Sequence, residues 1–267
     1  MTPADLDRWR EYVERRCGLS FGSRLRVLAA AVDSTAEIAR TTPDALFPAV
    51  DRRPALWSAL FEQLLNGETK FFRDGPGLAA LTGFVLPDLR GRRGTSDTRL
   101  SLWSAGCSTG QEPYTLAMVC LADEATRGWD VRVRATDVCQ SSLERAAAGV
   151  YRDFETRSVP PAYRDRFFEP VSDTAFRVTD EVRSVVSFAR LDLTADAVGD
   201  ADQDVIVCEN VLIYYGPEAK AAILAKLAAA LAPGGYLFLG AVERIGVAPP
   251  GLDPVRLDDV WMYRRPT

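Results

Sequence analysis

The chain of 267 residues contains no histidine. A protein without an imidazole side chain cannot use a histidine general base, a Ser-His-Asp triad, a Cys-His pair or a histidine metal ligand. This absence excludes much of hydrolase chemistry, and we expect no metal site.

Cysteine is scarce and scattered. Its number is odd and no two cysteines form a C-x-x-C pair; the five are Cys17, Cys107, Cys120, Cys139 and Cys208. This pattern fits free thiols in a reducing compartment better than a disulfide framework or a zinc site.

Long apolar runs and an excess of positive charge are also lacking. No apolar run approaches the length of a membrane span, and the first sixteen residues are charged instead of apolar. The 32 lysine and arginine residues are outnumbered by 37 aspartate and glutamate residues, which gives a net charge of -5. Such a surface is not built to bind nucleic acid. We therefore predict a cytoplasmic protein that binds no nucleic acid and does not insert into a membrane.

The sequence predicts a helical region first and an α/β region after it. Apolar residues recur at threes and fours over the first 66 residues, and Pro43, Pro48 and Pro54 divide this region into short helices. We predict a helical N-terminal domain over residues 1–66. Residues 67–95 are predicted to be a linker and the start of a catalytic domain.

Short apolar runs alternate with helical patterns over residues 96–267, which is typical of a parallel α/β sheet. The predicted strands are 100–105, 131–136, 204–208 and 236–239, and the predicted helices are 112–124, 140–148 and 217–231. Three further strand-like pieces, FFEPV, AFRV and VVSF, predict a small antiparallel β insertion at about 160–190.

Small residues follow the first predicted strand. From Ser104 to Pro113 the chain reads SAGCSTGQEP, which predicts a tight turn that leads into a helix N-terminus. Small residues let a ligand approach the backbone, and the unpaired N–H groups of a helix start can donate to a carboxylate or phosphate. The stretch does not match G-x-x-x-x-G-K-[ST] and lacks the third glycine of the dinucleotide pattern. By itself it fits a ligand loop and a structural turn equally well.

Asp137 stands at the carboxyl end of the next predicted strand. Open parallel sheets bind ligands at that edge, and an acidic residue there typically binds ribose hydroxyls. The same side chain could instead cap the helix that begins near Ser141. Taken together, the small-residue loop and Asp137 favour nucleoside binding.

Five longer segments occur in one order between roughly residues 60 and 245. They are TKFFRD from Thr69, WSAGCSTGQEPY from Trp103, ATD from Ala135, NVLIYY from Asn210 and PGGYLFLG from Pro233. Together they closely resemble the motifs of the chemotaxis receptor methyltransferases, the CheR family. The resemblance implies an α/β fold: a Rossmann-like class I methyltransferase sheet with an all-α N-terminal domain and a small antiparallel β insertion.

The resemblance also implies a cofactor, a site and an acceptor. The cofactor would be S-adenosyl-L-methionine, which leaves as S-adenosyl-L-homocysteine. The acceptor would be a glutamate side chain in the cytoplasmic helical region of a methyl-accepting receptor or a similar acidic protein. The matching positions imply Arg73 and Tyr214 as catalytic residues. They imply as cofactor-binding residues Thr69, Arg73, Gly106, Glu112, Asp137, Asp192, Leu193 and Asn210. Asp192 and Leu193 are a looser match, to a family Asn-Leu pair that contacts the adenine side.

This chemistry agrees with the composition. A glutamate carboxylate, with a reference pKa of about 4.3, is already ionised at neutral pH, so methyl transfer to it needs no general base. A bidentate guanidinium suits the acceptor carboxylate, which makes Arg73 its expected clamp. Tyr214 could orient the carboxylate or the methyl group, Glu112 could bind the cofactor's ammonium group, and Asp137 its ribose.

Some positions depart from the family pattern. Gly67 stands where the family usually has asparagine and Glu209 where it has arginine. Ala241-Val242-Glu243 stands where the family has a His-Ser-Glu string. Glu209 would place a carboxylate beside the acceptor path unless it points to solvent. The family's N-terminal helix is usually rich in arginine and lysine, whereas here only Arg24 and Arg26 precede the apolar stretch 27–32. Three hypotheses therefore stand: a protein-glutamate O-methyltransferase, a related methyltransferase redirected to another protein or a small carboxylate, and a non-catalytic module that binds the cofactor.

Overall fold

The structure is a computed structural model that describes residues 2–65, 67–93, 98–199, 202–243 and 248–267. The chain divides into two compact units. One contains Met1–Gly67 with Ile213–Ala222, and the other contains Glu68–Leu212 with Ile223–Thr267. The segment Ile213–Ala222, which we predicted within the catalytic domain, therefore clusters with the helical residues. Among the described residues, no helix has the length and apolar character needed to cross a membrane.

The first unit is helical, as its apolar spacing predicts. Its helices are α1 (Pro3–Cys17), α2 (Leu25–Ile38), α3 (Pro43–Arg52) and α4 (Pro54–Leu64). Proline occupies the first turn of α1, α3 and α4, where a missing N–H costs no helical hydrogen bond. Helix α1 ends at Gly18, whose φ of 71° is left-handed.

The second unit contains the remaining helices and all of the named strands. The helices are α5 (Gly75–Ala80), α6 (Leu86–Arg93), α7 (Gln111–Ala122), α8 (Gln140–Ala148), α9 (Pro161–Phe167), α10 (Asp180–Arg183) and α11 (Pro217–Ala230), whose first residues belong to the helical unit. The strands are β1 (Arg99–Ala105), β2 (Asp130–Asp137), β3 (Val150–Arg152), β4 (Phe168–Ser172), β5 (Ala175–Val178), β6 (Val186–Arg190), β7 (Gln203–Cys208), β8 (Leu231–Leu239), β9 (Asp253–Leu257) and β10 (Val260–Arg264).

In the described part of this unit, seven strands form one sheet in the order β6-β2-β1-β7-β8-β10-β9. The five strands β6, β2, β1, β7 and β8 are parallel to one another. The β9–β10 hairpin forms the other edge of the sheet, where β10 pairs antiparallel with β8. The connections change direction between β1 and β7. Open α/β sheets bind ligands at such a switch point, beside the carboxyl ends of the strands. The predicted α/β fold is confirmed.

The small sheet differs from its prediction. FFEPV and AFRV contribute β4 and β5, but the third strand is β3, and the sheet order is β3-β5-β4. The assignment of VVSF to this insertion is wrong, because that piece contributes to β6, which pairs in parallel with β2 at the edge of the main sheet. A short apolar run pairs equally well in either sheet, so its neighbours decide where it belongs.

Candidate active site

The small-residue loop leaves β1 in a conformation that requires glycine. Gly106 and Gly110 have φ values of 94° and 95°, in the left-handed region that side chains disfavour. A Cβ on Gly106 would overlap the side chain of Val211, and one on Gly110 would lie 2.8 Å from the Cβ of Ala146. The loop is therefore closely packed on one side, and Gly110 begins α7 as its N-cap.

Asp137 holds this loop in place. Its Oδ2 accepts the backbone N–H of Ser108 at 2.8 Å, and its Oδ1 accepts the N–H of Cys139 at 2.9 Å. Helix α8 has Cys139 as its N-cap, without a side-chain hydrogen bond at that position. Asp137 is thus not the cap of α8. The structure instead joins it to the loop.

Glu112 lies in the first turn of α7, where the helix dipole favours negative charge. The hydroxyl of the buried Ser104 on β1 donates to Glu112 Oε1 at 2.7 Å. Burial of the carboxyl group raises the pKa of Glu112 to about 8, and the neighbouring Glu243 adds to the rise. The Ser104 hydrogen bond and the Arg73 guanidinium oppose it. Arg73 and Glu112 therefore share one electrostatic environment.

The segment that carries Arg73 is fixed by its aromatic residues. Phe71 is fully buried, and its ring centroid lies 4.9 Å from that of Tyr151. Phe72 has a φ of 52°, unusual for a bulky residue, and its N–H donates to Thr115 Oγ1 at 3.1 Å. The exposed Arg73 side chain donates to the Glu68 carbonyl at 2.9 Å.

Thr69 stands one residue after Glu68 and is half-buried. This places it in the same segment as Arg73. Its predicted contact with the cofactor stays a prediction.

Asn210 follows β7 and is held by an acidic residue that the sequence did not single out for the site. Its backbone N–H donates to Glu243 Oε2 at 2.6 Å, and the N–H of Gly240 donates to the same oxygen at 3.0 Å. A Cβ on Gly240 would lie 2.7 Å from that oxygen, so only glycine permits this approach. Glu243 thereby joins the carboxyl ends of β7 and β8.

Glu209 does not place a full negative charge beside this site. Burial, together with the neighbouring Glu112, Asp74 and Glu243, raises its pKa to about 9, and burial is the largest of these causes. Glu209 also shares a hydrogen bond with Asp74. At neutral pH its side chain is therefore a neutral acid that donates to Asp74. The expectation of a carboxylate charge at this position is wrong, and so is the alternative of a side chain free in solvent.

Asp192 and Leu193 follow β6, at the same sheet edge as Asp137, whose carbonyl accepts the N–H of Leu191 at 3.0 Å. One oxygen of Asp192 accepts the N–H of Thr194 at 2.8 Å and its hydroxyl at 2.6 Å. The side chain thus folds back over its own turn. Leu193 is buried.

Tyr214 belongs to the helical unit. Within that unit its ring lies 4.9 Å below the guanidinium carbon of Arg24, and its carbonyl accepts the N–H of Ser20 at 2.8 Å. Its catalytic role stays a prediction based on the NVLIYY segment.

The structure thus brings together most of the implied residues at one edge of the parallel sheet. The residues that lie at the strand ends or in contact with them are Gly106, Glu112, Asp137, Asp192, Leu193 and Asn210. Ser104 and Glu243 were not predicted as site residues. A buried hydroxyl on a strand and an acid three residues after a glycine give no distinctive signal by themselves.

Comparison with known proteins identifies the family. The family model described as "CheR methyltransferase, SAM binding domain" matches residues 67–256. The chain belongs to the CheR methyltransferase family. Chemotaxis protein methyltransferase 1 of Pseudomonas aeruginosa is 32% identical over 276 residues, which cover 98% of this chain and 97% of the relative. The chemotaxis protein methyltransferase of Vibrio anguillarum is 31% identical, with 95% and 94% covered.

Comparison with solved structures also finds a methyltransferase. The structure of magnesium protoporphyrin IX methyltransferase from Synechocystis PCC 6803 is 15% identical, with a TM-score of 0.37, and the match covers 71% of this chain and 78% of that one.

As a CheR family member, the chain is an S-adenosylmethionine-dependent methyltransferase. The described residues fit this cofactor. The glycine loop leaves the backbone accessible at the start of α7, and Asp137 stands at the end of β2, a place where acidic residues of open α/β sheets typically bind ribose. Glu112 offers an acidic side chain to a cofactor that carries a sulfonium and an ammonium group.

Proposed function

We propose that this CheR family methyltransferase forms methyl esters on glutamate side chains in the cytoplasmic helical region of a chemoreceptor. The proposal includes a cytoplasmic location, since that is where such a region lies. It also includes residues 1–66 as a helical domain, residues 67–95 as a linker and the start of the catalytic domain, and residues 96–267 as the Rossmann-like methyltransferase domain. The observation that carries it is the shared electrostatic environment of Arg73 and Glu112, in which a guanidinium suited to an anionic acceptor acts on a buried acid that would ionise on binding a cationic cofactor.

The strand-end geometry supports the proposed cofactor-binding roles. S-adenosylmethionine supplies an electrophilic methyl group on its sulfonium. Asp137 would accept the ribose hydroxyls, because each carboxylate oxygen has a second lone pair beyond the one used by the loop N–H. Glu112 would accept the ammonium group. Asn210, whose backbone is held by Glu243, would complete the pocket beside β7.

The acceptor roles rest on Arg73 and Tyr214. A guanidinium can hold both oxygens of a carboxylate and so set the direction of attack. Arg73 suits this role because its segment is fixed by the buried Phe71 and by the Phe72 hydrogen bond, while its own side chain reaches the surface. Tyr214 would orient the carboxylate through its hydroxyl. No group needs to remove a proton, because the acceptor is ionised at neutral pH.

Transfer of a labelled methyl group tests this function directly. We would incubate the protein with methyl-labelled S-adenosylmethionine and receptor-containing membranes from its native cell, and then raise the pH. Carboxyl methyl esters hydrolyse in mild alkali, so the label should be released as methanol.

Two other outcomes would favour the competing hypotheses. Base-stable label would indicate transfer to another kind of atom and would favour a redirected methyltransferase. Binding of S-adenosylhomocysteine by calorimetry, without transfer to membranes, other proteins or small carboxylates, would favour the non-catalytic module. A preparation treated with excess S-adenosylhomocysteine is the control for enzymatic transfer.

A further inference from the structure

Lys226 on α11 makes an unusually complete set of hydrogen bonds. Its Nζ donates to the backbone carbonyls of Leu193 at 2.9 Å, Thr194 at 3.0 Å and Asp196 at 3.0 Å. An ammonium group has three N–H donors, and all three have an acceptor here. These acceptors belong to one short stretch, residues 191–196, which we call the 191–196 turn.

The 191–196 turn is also closed by its own hydrogen bonds. The N–H of Asp192 donates to Asp196 Oδ2 at 2.8 Å, and the N–H of Asp196 donates to the carbonyl of Asp192 at 2.8 Å. At its start, Leu191 is bonded to the carbonyl of Asp137. The turn therefore has a fixed shape and a fixed place beside the residue proposed to bind ribose.

The carbonyls that converge on Lys226 need a cation with the right geometry. Three carbonyl oxygens around one point would repel one another and would be left unpaired without a donor. An ammonium group presents its three N–H bonds in a tripod, whereas the five N–H bonds of a guanidinium lie in a plane. Lys226 is one of only three lysines in a chain with 32 lysine and arginine residues in total. Lysine suits this position better than the arginine that the chain otherwise prefers.

The part of helix α11 that carries Lys226 is packed in the core. Ile223, Leu224 and Leu227, on either side of Lys226, are buried. The side chain of Lys226 thus connects a packed helix to the 191–196 turn, whose Leu191 end is bonded to Asp137 on β2.

We propose that Lys226 is a positioning residue for the adenine end of the cofactor, because its ammonium group fixes the turn that carries Asp192 and Leu193. This inference rests on the proposed function, in which the chain binds S-adenosylmethionine, and on the resemblance of Asp192 and Leu193 to a family pair that contacts the adenine side. Lys226 acts through the turn and touches neither the methyl group nor the acceptor. Its loss should therefore weaken cofactor binding and leave the rate of transfer at saturating cofactor nearly unchanged.

The test compares Lys226→Met with Lys220→Met, which removes the same charge from the same helix. We expect Lys226→Met to weaken the binding of S-adenosylhomocysteine about tenfold in calorimetry, the scale of losing a charged hydrogen bond. We expect KM for S-adenosylmethionine to rise equally and kcat to stay within about twofold. Lys220→Met should match the wild type, and Lys226→Arg should recover part of the affinity.

Hydrogen exchange gives a second readout, one that needs no acceptor. The amides of Asp192, Thr194 and Asp196 should exchange faster in Lys226→Met, without cofactor, while amides of β1 and β7 remain protected. A parallel fall of kcat, or exchange that rises throughout the sheet, would overturn the positioning role and indicate general destabilisation.

The two proposals fail in different ways. A wild-type protein that does not bind S-adenosylhomocysteine would overturn the proposed function, and this inference with it. Wild-type binding together with an unchanged affinity in Lys226→Met would overturn the assignment of Lys226 alone.

Discussion

Replacement of Glu112 by glutamine tests the electrostatics of the cofactor site. The pKa of Glu112 is raised to about 8, mainly by burial, so the side chain is largely protonated at pH 7 in the free protein. A bound ammonium group needs the ionised form. Binding of the cofactor should therefore release a proton from Glu112, and its apparent affinity should rise with pH.

The size of the effect follows from the pKa. With a pKa of about 8, only about a tenth of the molecules carry the ionised side chain at pH 7, and about nine tenths carry it at pH 9. The apparent dissociation constant scales inversely with the competent fraction. It should thus fall about tenfold between pH 7 and pH 9, which corresponds to about 1.4 kcal/mol. Glu112→Gln should bind more weakly at pH 9 and lack this slope.

Calorimetry with S-adenosylhomocysteine from pH 6.5 to 9 measures both the dissociation constant and its change with pH. The ligand's own ammonium group titrates in alkaline solution, so the wild type is compared with Glu112→Gln at every pH, which cancels the ligand's contribution. Glu144→Gln, on the exposed surface of α8, is the matched control and should follow the wild type. Equal pH profiles for wild type and Glu112→Gln would refute the assignment of the ammonium group to Glu112.

The same pKa determines how stability depends on pH. Between the ordinary value of 4.5 and about 8, the folded chain binds more protons at Glu112 than the unfolded chain does. The free energy of unfolding should therefore fall as pH rises through this window. The stabilising contribution is complete below about pH 4.5 and is lost as pH passes about 8. Urea unfolding should show a smaller decline for Glu112→Gln than for the wild type.

Three further predictions concern single residues. Arg73→Ala should lower kcat for methyl transfer by about a hundredfold or more, because the acceptor carboxylate loses its clamp, while the calorimetric affinity for S-adenosylhomocysteine changes far less; near-normal turnover would exclude this role. Gly106→Ala should abolish cofactor binding or lower the melting temperature by many degrees, because the φ of Gly106 is 94° and a Cβ there would overlap Val211. The control Gly83→Ala, which has open space around the added Cβ, should be neutral or stabilising. Glu209→Gln should keep wild-type activity at pH 7, since an amide can also donate to Asp74. We expect the wild type to lose activity above about pH 9, where Glu209 ionises, and Glu209→Gln to resist that loss; a large loss of activity in the variant at pH 7 would contradict a neutral Glu209.

The most local features of this protein could be predicted from sequence. The glycine loop needs left-handed backbone at Gly106 and Gly110, and glycine in a run of small residues after an apolar strand signals this. The alternation of strands and helices predicts the parallel sheet, because it depends on periodicities within each segment. Asp137 could be placed at a strand end for the same reason.

The relations between distant segments required the tertiary structure. VVSF has the same local character as the two pieces before it, yet β6 pairs with β2 in the main sheet, because pairing depends on which strand edge is available. The protonation of Glu209 depends on Asp74, Glu112 and Glu243. All three are distant in sequence, and even the nearest, Glu243, is 34 positions away. Its charge is therefore a property of the folded site.

The sequence by itself determined the α/β fold, the family motifs and the residues implied for cofactor and acceptor, because each is written in a contiguous segment. Only the tertiary structure decided which of them touch and in which charge state. It placed the carboxylate of Glu243 where it accepts the backbone N–H of Asn210. It also brought the carbonyls of the 191–196 turn to Lys226, which lies 30 to 33 residues farther along the chain. The physical reason is that burial and hydrogen bonding depend on neighbours in space, which no local pattern specifies.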